Sequence, residues 1–286
     1  MLKLKFHFAH NSLPFKLLLD FLLGLLFSLF IFKTFTVEVP IFGFHGIFDQ
    51  NTPPASIKNF DYPKEKLKLF LTSLIEKKYW FLSTEELYDY FIDPHPKPIP
   101  PEHSKDRPIL LSFDDGYKST HNNLMEILPE LENTFGKKIK VTLFINPGFM
   151  GKEGINSGHA SCADLREGFK KGYYDLQSHG QNHENLTKIS LTSAESELSR
   201  AQKNLKECLI DLDSKFEVAN HFAYPFGATN KAVEKLTSKY YKSSYLYNSK
   251  SLTPFWSKDK YLVSRFTVNR ETSLHKLTAK AQGSWF

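Results

Sequence analysis

The chain has 286 residues, enough for one large α/β domain with a substantial core or for two small ones. Its 41% apolar and 24% charged residues are ordinary for a folded protein. The 37 basic and 31 acidic residues leave a formal charge of +6. Lys and Glu are interleaved along helical stretches, and no basic block long enough for nucleic-acid binding is present. The two cysteines, Cys162 and Cys208, are too few for a disulfide scaffold, lack metal-type spacing and do not settle the redox compartment.

Residues 1–36 differ from everything after them. Lys3, Lys5 and Lys16 precede Leu17 to Phe32, a run interrupted only by Asp20, Gly24 and Ser28, which share one helical face. These 16 residues make about 24 Å of helix against a ~30 Å hydrocarbon core, and snorkelling lysines at both ends make up the difference. No small-x-small cleavage site follows the run. The expectation is one transmembrane helix, an uncleaved signal anchor with a cytoplasmic N-terminus; a cleaved signal peptide is the alternative. The rest of the chain, 37–286, is then one domain outside the cytoplasmic membrane.

Val37 to Phe48 reads as a short strand ending at His45, with Gly46 as its breaker. Tyr62 to Lys78 has helical period, Tyr79 to Leu82 is a brief strand, and Ser83-Thr84-Glu85-Glu86 caps a helix to Phe91. A proline-rich loop, Asp93 to Asp106, leads to the strand Ile109 to Phe113 and to Asp114-Asp115-Gly116. Next come a helix from Ser119 to Phe135, interrupted near Pro129, a strand from Lys140 to Ile145 and a Gly-rich loop from Asn146 to Ser161. A helix over Cys162–Lys171 precedes the strand Tyr174 to Ser178 and His179-Gly-Gln-Asn-His183. The remaining elements are a helix from Thr192, with Glu195 at the capping-box position, a strand within Phe216–Tyr224 before Pro225-Phe226-Gly227, a helix Asn230–Tyr240, and strands at Lys242–Tyr247 and Tyr261–Phe266. Strands alternating with helices describe a β/α barrel or a doubly wound sheet. Barrel chemistry sits at the C-terminal strand ends, where His45, Asp114, Asp115, His179 and Pro225 all fall, which favours the barrel.

Two adjacent carboxylates at a strand end repel unless a cation or a shared proton relieves them. Two histidines four apart can meet one ion. Either feature alone is a weak signal. Together they supply a His-His-Asp set with an open position.

Ser-Phe-Asp-Asp-Gly-Tyr, Ser-His-Gly-Gln-Asn-His and Phe-Ala-Tyr-Pro-Phe-Gly resemble three ordered motifs of the NodB-homology polysaccharide deacetylases, carbohydrate esterase family 4. The resemblance covers residues 37–286 and implies an α/β fold, a distorted (β/α) barrel. It also implies one divalent ion, usually zinc, held by Asp115, His179 and His183, with Asp114 as general base. The proton-donating His of the family lies in a late Leu-x-His motif, for which Leu274-His275 is a candidate. The segment Phe-Gly-Phe-His45-Gly instead resembles the opening strand of the circularly permuted poly-N-acetylglucosamine deacetylases, which makes His45 the expected acid. The third motif lacks the usual Arg, and Arg265 at the end of the last strand is the expected substitute. Tyr224, Pro225 and Phe226 are expected at the substrate and oxyanion, the latter held by the N–H near Phe226. The implied activity is removal of acetyl groups, N-acetyl first and O-acetyl second, from a cell-surface polysaccharide. A hydrolase of small cyclic amides and a non-catalytic glycan-binding protein on the same fold are the alternatives.

Overall fold

The computed structural model describes residues 13–35, 38–54, 56–153, 158–254 and 259–283. The chain divides into two units, Met1–Val37 and Glu38–Phe286. In the first, Leu13–Phe35 forms one helix, α1, whose described side chains, residues 16–28, are all exposed. Among the described residues no helix is long and apolar enough to cross a membrane, so the expected span is not shown. The expected cytoplasmic tail, 1–12, lies outside the described residues.

The second unit is built on parallel strands. These are β1 (Ile41–Phe44), the short pair β2 (Ile47–Phe48) and β3 (Tyr62–Pro63), β4 (Tyr79–Phe81), β5 (Arg107–Phe113), β6 (Val141–Ile145), β7 (Tyr174–Ser178), β8 (His221–Ala223), β9 (Ser243–Tyr247) and β10 (Val263–Thr267). The order β1-β10-β9-β8-β7-β6-β5 closes on itself because β1 also pairs with β5, Phe44 opposite Phe113. This closure decides for the barrel over the doubly wound sheet. β5 divides its edge: Arg107–Ile109 pair with β4, and Leu110–Phe113 pair with β1. Strands buried on both faces read as continuous apolar runs, as Val-Thr-Leu-Phe-Ile in β6 does.

Among the described residues seven α-helices follow α1: α2 (Lys64–Glu76), α3 (Thr84–Leu87), α4 (Lys118–Phe135), α5 (Cys162–Lys170), α6 (Leu191–Leu209), α7 (Lys231–Thr237) and α8 (Leu274–Ala281). The buried faces of α2, α4 and α6, such as Leu67, Phe70, Leu71 and Leu74 of α2, join the outer faces of the strands in the main core. A second cluster, with Ile41, Leu110, Phe144 and Tyr245, gathers Leu87 of α3 and Phe91 just beyond it. Thr84 donates to the buried Asp175 through both its N–H and its hydroxyl.

Two local expectations change. α4 runs continuously through Pro129, because the apolar face of Leu124, Ile127, Leu128 and Leu131 stays buried and outweighs the lost backbone bond. α6 is capped by Ser190, whose hydroxyl accepts from Ser193 N–H, two residues before the expected Thr192. The strand expected within Phe216–Tyr224 is β8, preceded by a turn held by Asp213 in which Phe216 and Ala219 take positive φ.

Cys162 and Cys208 form a disulfide that ties the first residue of α5 to the end of α6. With a sequence separation of 46, its loop-closure contribution is about 4 kcal/mol. Serine at both positions is expected to lower the thermal midpoint by an amount matching that loss, and dithiothreitol to do the same to the parent in a melting experiment. A midpoint unmoved by either contradicts the disulfide.

Candidate active site

The parallel register delivers the site. Asp114 N–H donates to Phe44 C=O (2.9 Å), which sets Asp114 beside His45 where β1 and β5 end. Asp115 has φ of 71°, a left-handed conformation costly for a side-chain-bearing residue, and Gly116 follows at 70°. The turn lets consecutive carboxylates face one mouth instead of opposite faces of a strand. On β7, His179 N–H donates to Ile145 C=O, and the loop to His183 leaves the strand immediately.

Asp115, His179 and His183 could hold a metal ion, with one donor atom from each lying within 4.8 Å of the others. Asp115 Oδ1 is buried without a hydrogen-bond partner, 3.6 Å from His179 Nε2 and 3.4 Å from His183 Nε2. His179 Nδ1–H donates to Ala223 C=O (2.8 Å), which fixes the tautomer and leaves Nε2 free for a cation. The donor set therefore fits a divalent ion such as zinc.

The loop carrying the histidines is clamped from two sides. Asn146, after β6, donates its amide to His179 C=O (2.6 Å) and Gly180 C=O (3.0 Å). Glu197 of α6, buried, accepts from the Asn182 N–H (2.8 Å) and side-chain amide (2.7 Å).

Asp114 is fully buried, as is Arg265 of β10. The guanidinium forks onto the carboxylate, Nη1 to Oδ1 at 2.7 Å and Nη2 to Oδ2 at 2.8 Å, and the Tyr247 hydroxyl donates to Oδ2 at 2.7 Å. Burial alone would raise the Asp114 carboxyl; the charges of Arg265 and then His179 outweigh it and hold the group below the usual carboxylate range. Tyr247 is opposite Arg265 in the β9–β10 register, so its ring lies 4.1 Å over the guanidinium carbon. The same ring crosses Gly43 of β1, where a Cβ would come 2.4 Å from it. Gly43→Ala is thus expected to displace Tyr247 from Asp114, which a crystal structure of the variant would reveal.

His45 is half-buried, its ring 5.0 Å from Phe60 and 5.8 Å from Tyr247, and its Nδ1 has no hydrogen-bond partner. His275 is elsewhere, exposed on α8 where that helix packs against α2. Pro225, Phe226 and Gly227 form a 3-10 turn after β8. Phe226, with φ of 61°, directs its ring to His183 at 4.6 Å, while the N–H groups of Gly227 and Ala228 close the turn. The Tyr224 side chain is buried with Phe222, Val233, Leu236 and Tyr241, so it belongs to the core and does not line the mouth as expected. Tyr247, Gly43, Asn146 and Glu197 escaped the sequence reading. Only the Gly inside a strand pattern hinted at a close approach.

Burial pushes His179 down to about 4 from 6.5. Between those values the unfolded chain binds a proton that the folded one refuses, so stability is lost as pH falls from 6.5 to 4. The loss is on the order of 3 kcal/mol. Urea melts of metal-free protein across this range should show it, and His179→Gln should flatten the slope. An equal slope in the variant contradicts the assignment.

Residues 102–242 match the polysaccharide deacetylase family model. No curated protein matches the chain in sequence. Among solved structures, a polysaccharide deacetylase from Bacillus cereus is similar at a TM-score of 0.70 and 22% identity, over 86% of this chain and 70% of that one. The deacetylase PplD from Streptococcus pyogenes, solved with acetate, is similar at 0.69 and 20% identity, over 85% and 97%. IcaB from Ammonifex degensii is similar at 0.67 and 17% identity, over 86% and 97%. These likenesses establish the fold, a seven-stranded parallel barrel of the NodB type. The family match adds the class: residues 102–242 carry a polysaccharide deacetylase domain, and the chain is a hydrolase.

Proposed function

We propose that the protein removes N-acetyl groups from a cell-surface or extracellular polysaccharide with the help of one zinc ion held by Asp115, His179 and His183. The observation that carries this reading is the convergence of Asp114, Asp115, His179, His183 and His45 at the C-terminal mouth of one parallel barrel. Bound there, zinc would supply Lewis-acid polarisation of the acetyl carbonyl and acidify a water. Asp114 takes the proton of the attacking water, its carboxylate kept ionised and oriented by Arg265 and Tyr247. A backbone N–H near Phe226 donates to the oxyanion as the carbonyl carbon becomes tetrahedral. His45 gives a proton to the nitrogen as the C–N bond breaks, leaving acetate and a free amine. An acid supplied by the first barrel strand accords with the permuted, poly-N-acetylglucosamine-type branch. Acetate, the product of such hydrolysis, is the molecule bound to the Streptococcus pyogenes relative.

The test is acetate release by the full chain from N-acetylglucosamine oligomers and from an O-acetylated glycan. Release from the first alone supports the N-deacetylase; release from the second alone reassigns the linkage; none from either rejects the substrate class.

We propose further that α1 anchors the domain outside the cytoplasm. Leu17, Phe21, Leu26 and Phe27 are exposed on several sides of α1, which suits lipid, and the Cys162–Cys208 disulfide suits an oxidising compartment. Extraction of the full chain from membranes by alkaline carbonate would contradict the anchor.

A further inference from the structure

Among the described residues of the barrel unit four phenylalanines are exposed: Phe60, Phe135, Phe216 and Phe226. Two of them touch histidines of the site. Phe60, 48% exposed, lies 5.0 Å from the His45 ring at an interplanar angle of 31°. Phe226, 67% exposed, meets His183 edge-on. The closed strand order separates β1, which ends at His45, from β8, which precedes Phe226. Two strands, β10 and β9, intervene one way, and three, β5, β6 and β7, the other. The two rings therefore stand on opposite rims of the mouth.

Phe60 is held there by design of the backbone. Lys58 N–H donates to Asp61 Oδ2 (2.6 Å) and Asp61 N–H to Lys58 C=O (3.1 Å), closing a turn with Phe60 inside it. Arg270 N–H donates to Asn59 C=O, and Tyr62 N–H to Gly46 C=O, so the turn is tied to both flanks of the mouth. Gly46 is required for that approach, since a Cβ would come 2.1 Å from Asp61 Oδ1. Lys58 reaches over the Tyr117 ring and donates to its hydroxyl (3.1 Å), extending the same wall past Asp115. Holding a large apolar ring half in water opposes the hydrophobic effect, and a fixed turn that does so beside a reactive centre presents a binding face.

We propose that Phe60 is a sugar-stacking platform of a glycan subsite that faces Phe226 across the mouth, so that the site takes an internal stretch of a chain of acetylated pyranoses. Equatorially substituted pyranoses expose C–H faces that pack on aromatic rings, and two platforms flanking His45 and the candidate metal ligands match sugars on both sides of the reacting one. This rests on the deacetylase reading for the identity of the glycan.

The test is calorimetric titration of chelator-treated full-length protein, which keeps the ligand intact, with the N-acetylglucosamine pentamer. Phe60→Ala is expected to weaken binding about tenfold, Phe60→Tyr to retain it within about threefold, and Phe216→Ala, remote from the site, to bind as the parent does. Parent-like binding by Phe60→Ala overturns the platform, as does a parent that binds no acetylated oligosaccharide. Phe60-dependent binding without acetate release from the metal-loaded parent leaves the platform standing and overturns the deacetylase reading instead.

Discussion

Replacing Arg265 with alanine is expected to destabilise the fold by about 3–5 kcal/mol at pH 7, because it leaves the Asp114 carboxylate buried with no counter-charge. Tyr247 still donates one hydrogen bond, but a neutral phenol does not replace the fork. In the parent, Asp114 titrates below its unfolded value of 3.8, so its contribution is present above that pH and fades below it. In the variant only Tyr247 and the neighbouring histidines oppose burial, so the carboxyl rises and the ionised form opposes folding at neutral pH. The gap between parent and variant should therefore narrow as pH falls from 7 toward 4. Arg265→Lys, which keeps charge but not the bidentate geometry, should fall between them. Urea melts at pH 7 and pH 4.5 check all three statements; a loss below about 1 kcal/mol in the alanine variant would remove Arg265 from its place as the partner of Asp114.

The second large effect is on rate. Asp114→Asn is expected to lower kcat by about 10²–10⁴-fold, the usual contribution of a positioned base. Asn offers an amide N–H₂ where the carboxylate accepted from Arg265 and Tyr247, so some stability is lost as well. Zinc affinity separates the two effects. The ligand set Asp115, His179 and His183 is untouched, so metal should bind nearly as tightly as in the parent. A variant that keeps parental kcat would assign the base elsewhere. One that loses zinc and activity together would make Asp114 a determinant of the metal site.

The candidate site was legible because its signals are local. Asp114-Asp115-Gly116 closes an apolar run, and His179 and His183 lie four apart after another, so strand ends could be read without knowing how strands pair. The barrel followed from where those ends fall. What pairing alone creates stayed hidden. Tyr247 ends a short strand and carries no mark of function; only its register with Arg265 brings it to Asp114. Cys162 and Cys208 are 46 residues apart and meet because α5 and α6 pack side by side. Pro129 reads as a helix breaker, yet burial on both sides of it carried the helix through. Tyr224 matched a motif by position, but its side chain went to the core beneath α6 and α7, leaving the mouth to its neighbour Phe226.

The most direct test of metal-dependent hydrolysis at this site is acetate release from N-acetylglucosamine oligomers while zinc is stripped and returned in measured amounts. Activity should vanish with the chelator and return in proportion to added zinc, reaching its plateau at one ion per chain; His183→Ala should need far more zinc or never recover. Full activity in metal-free protein, or recovery indifferent to His183, would contradict the account.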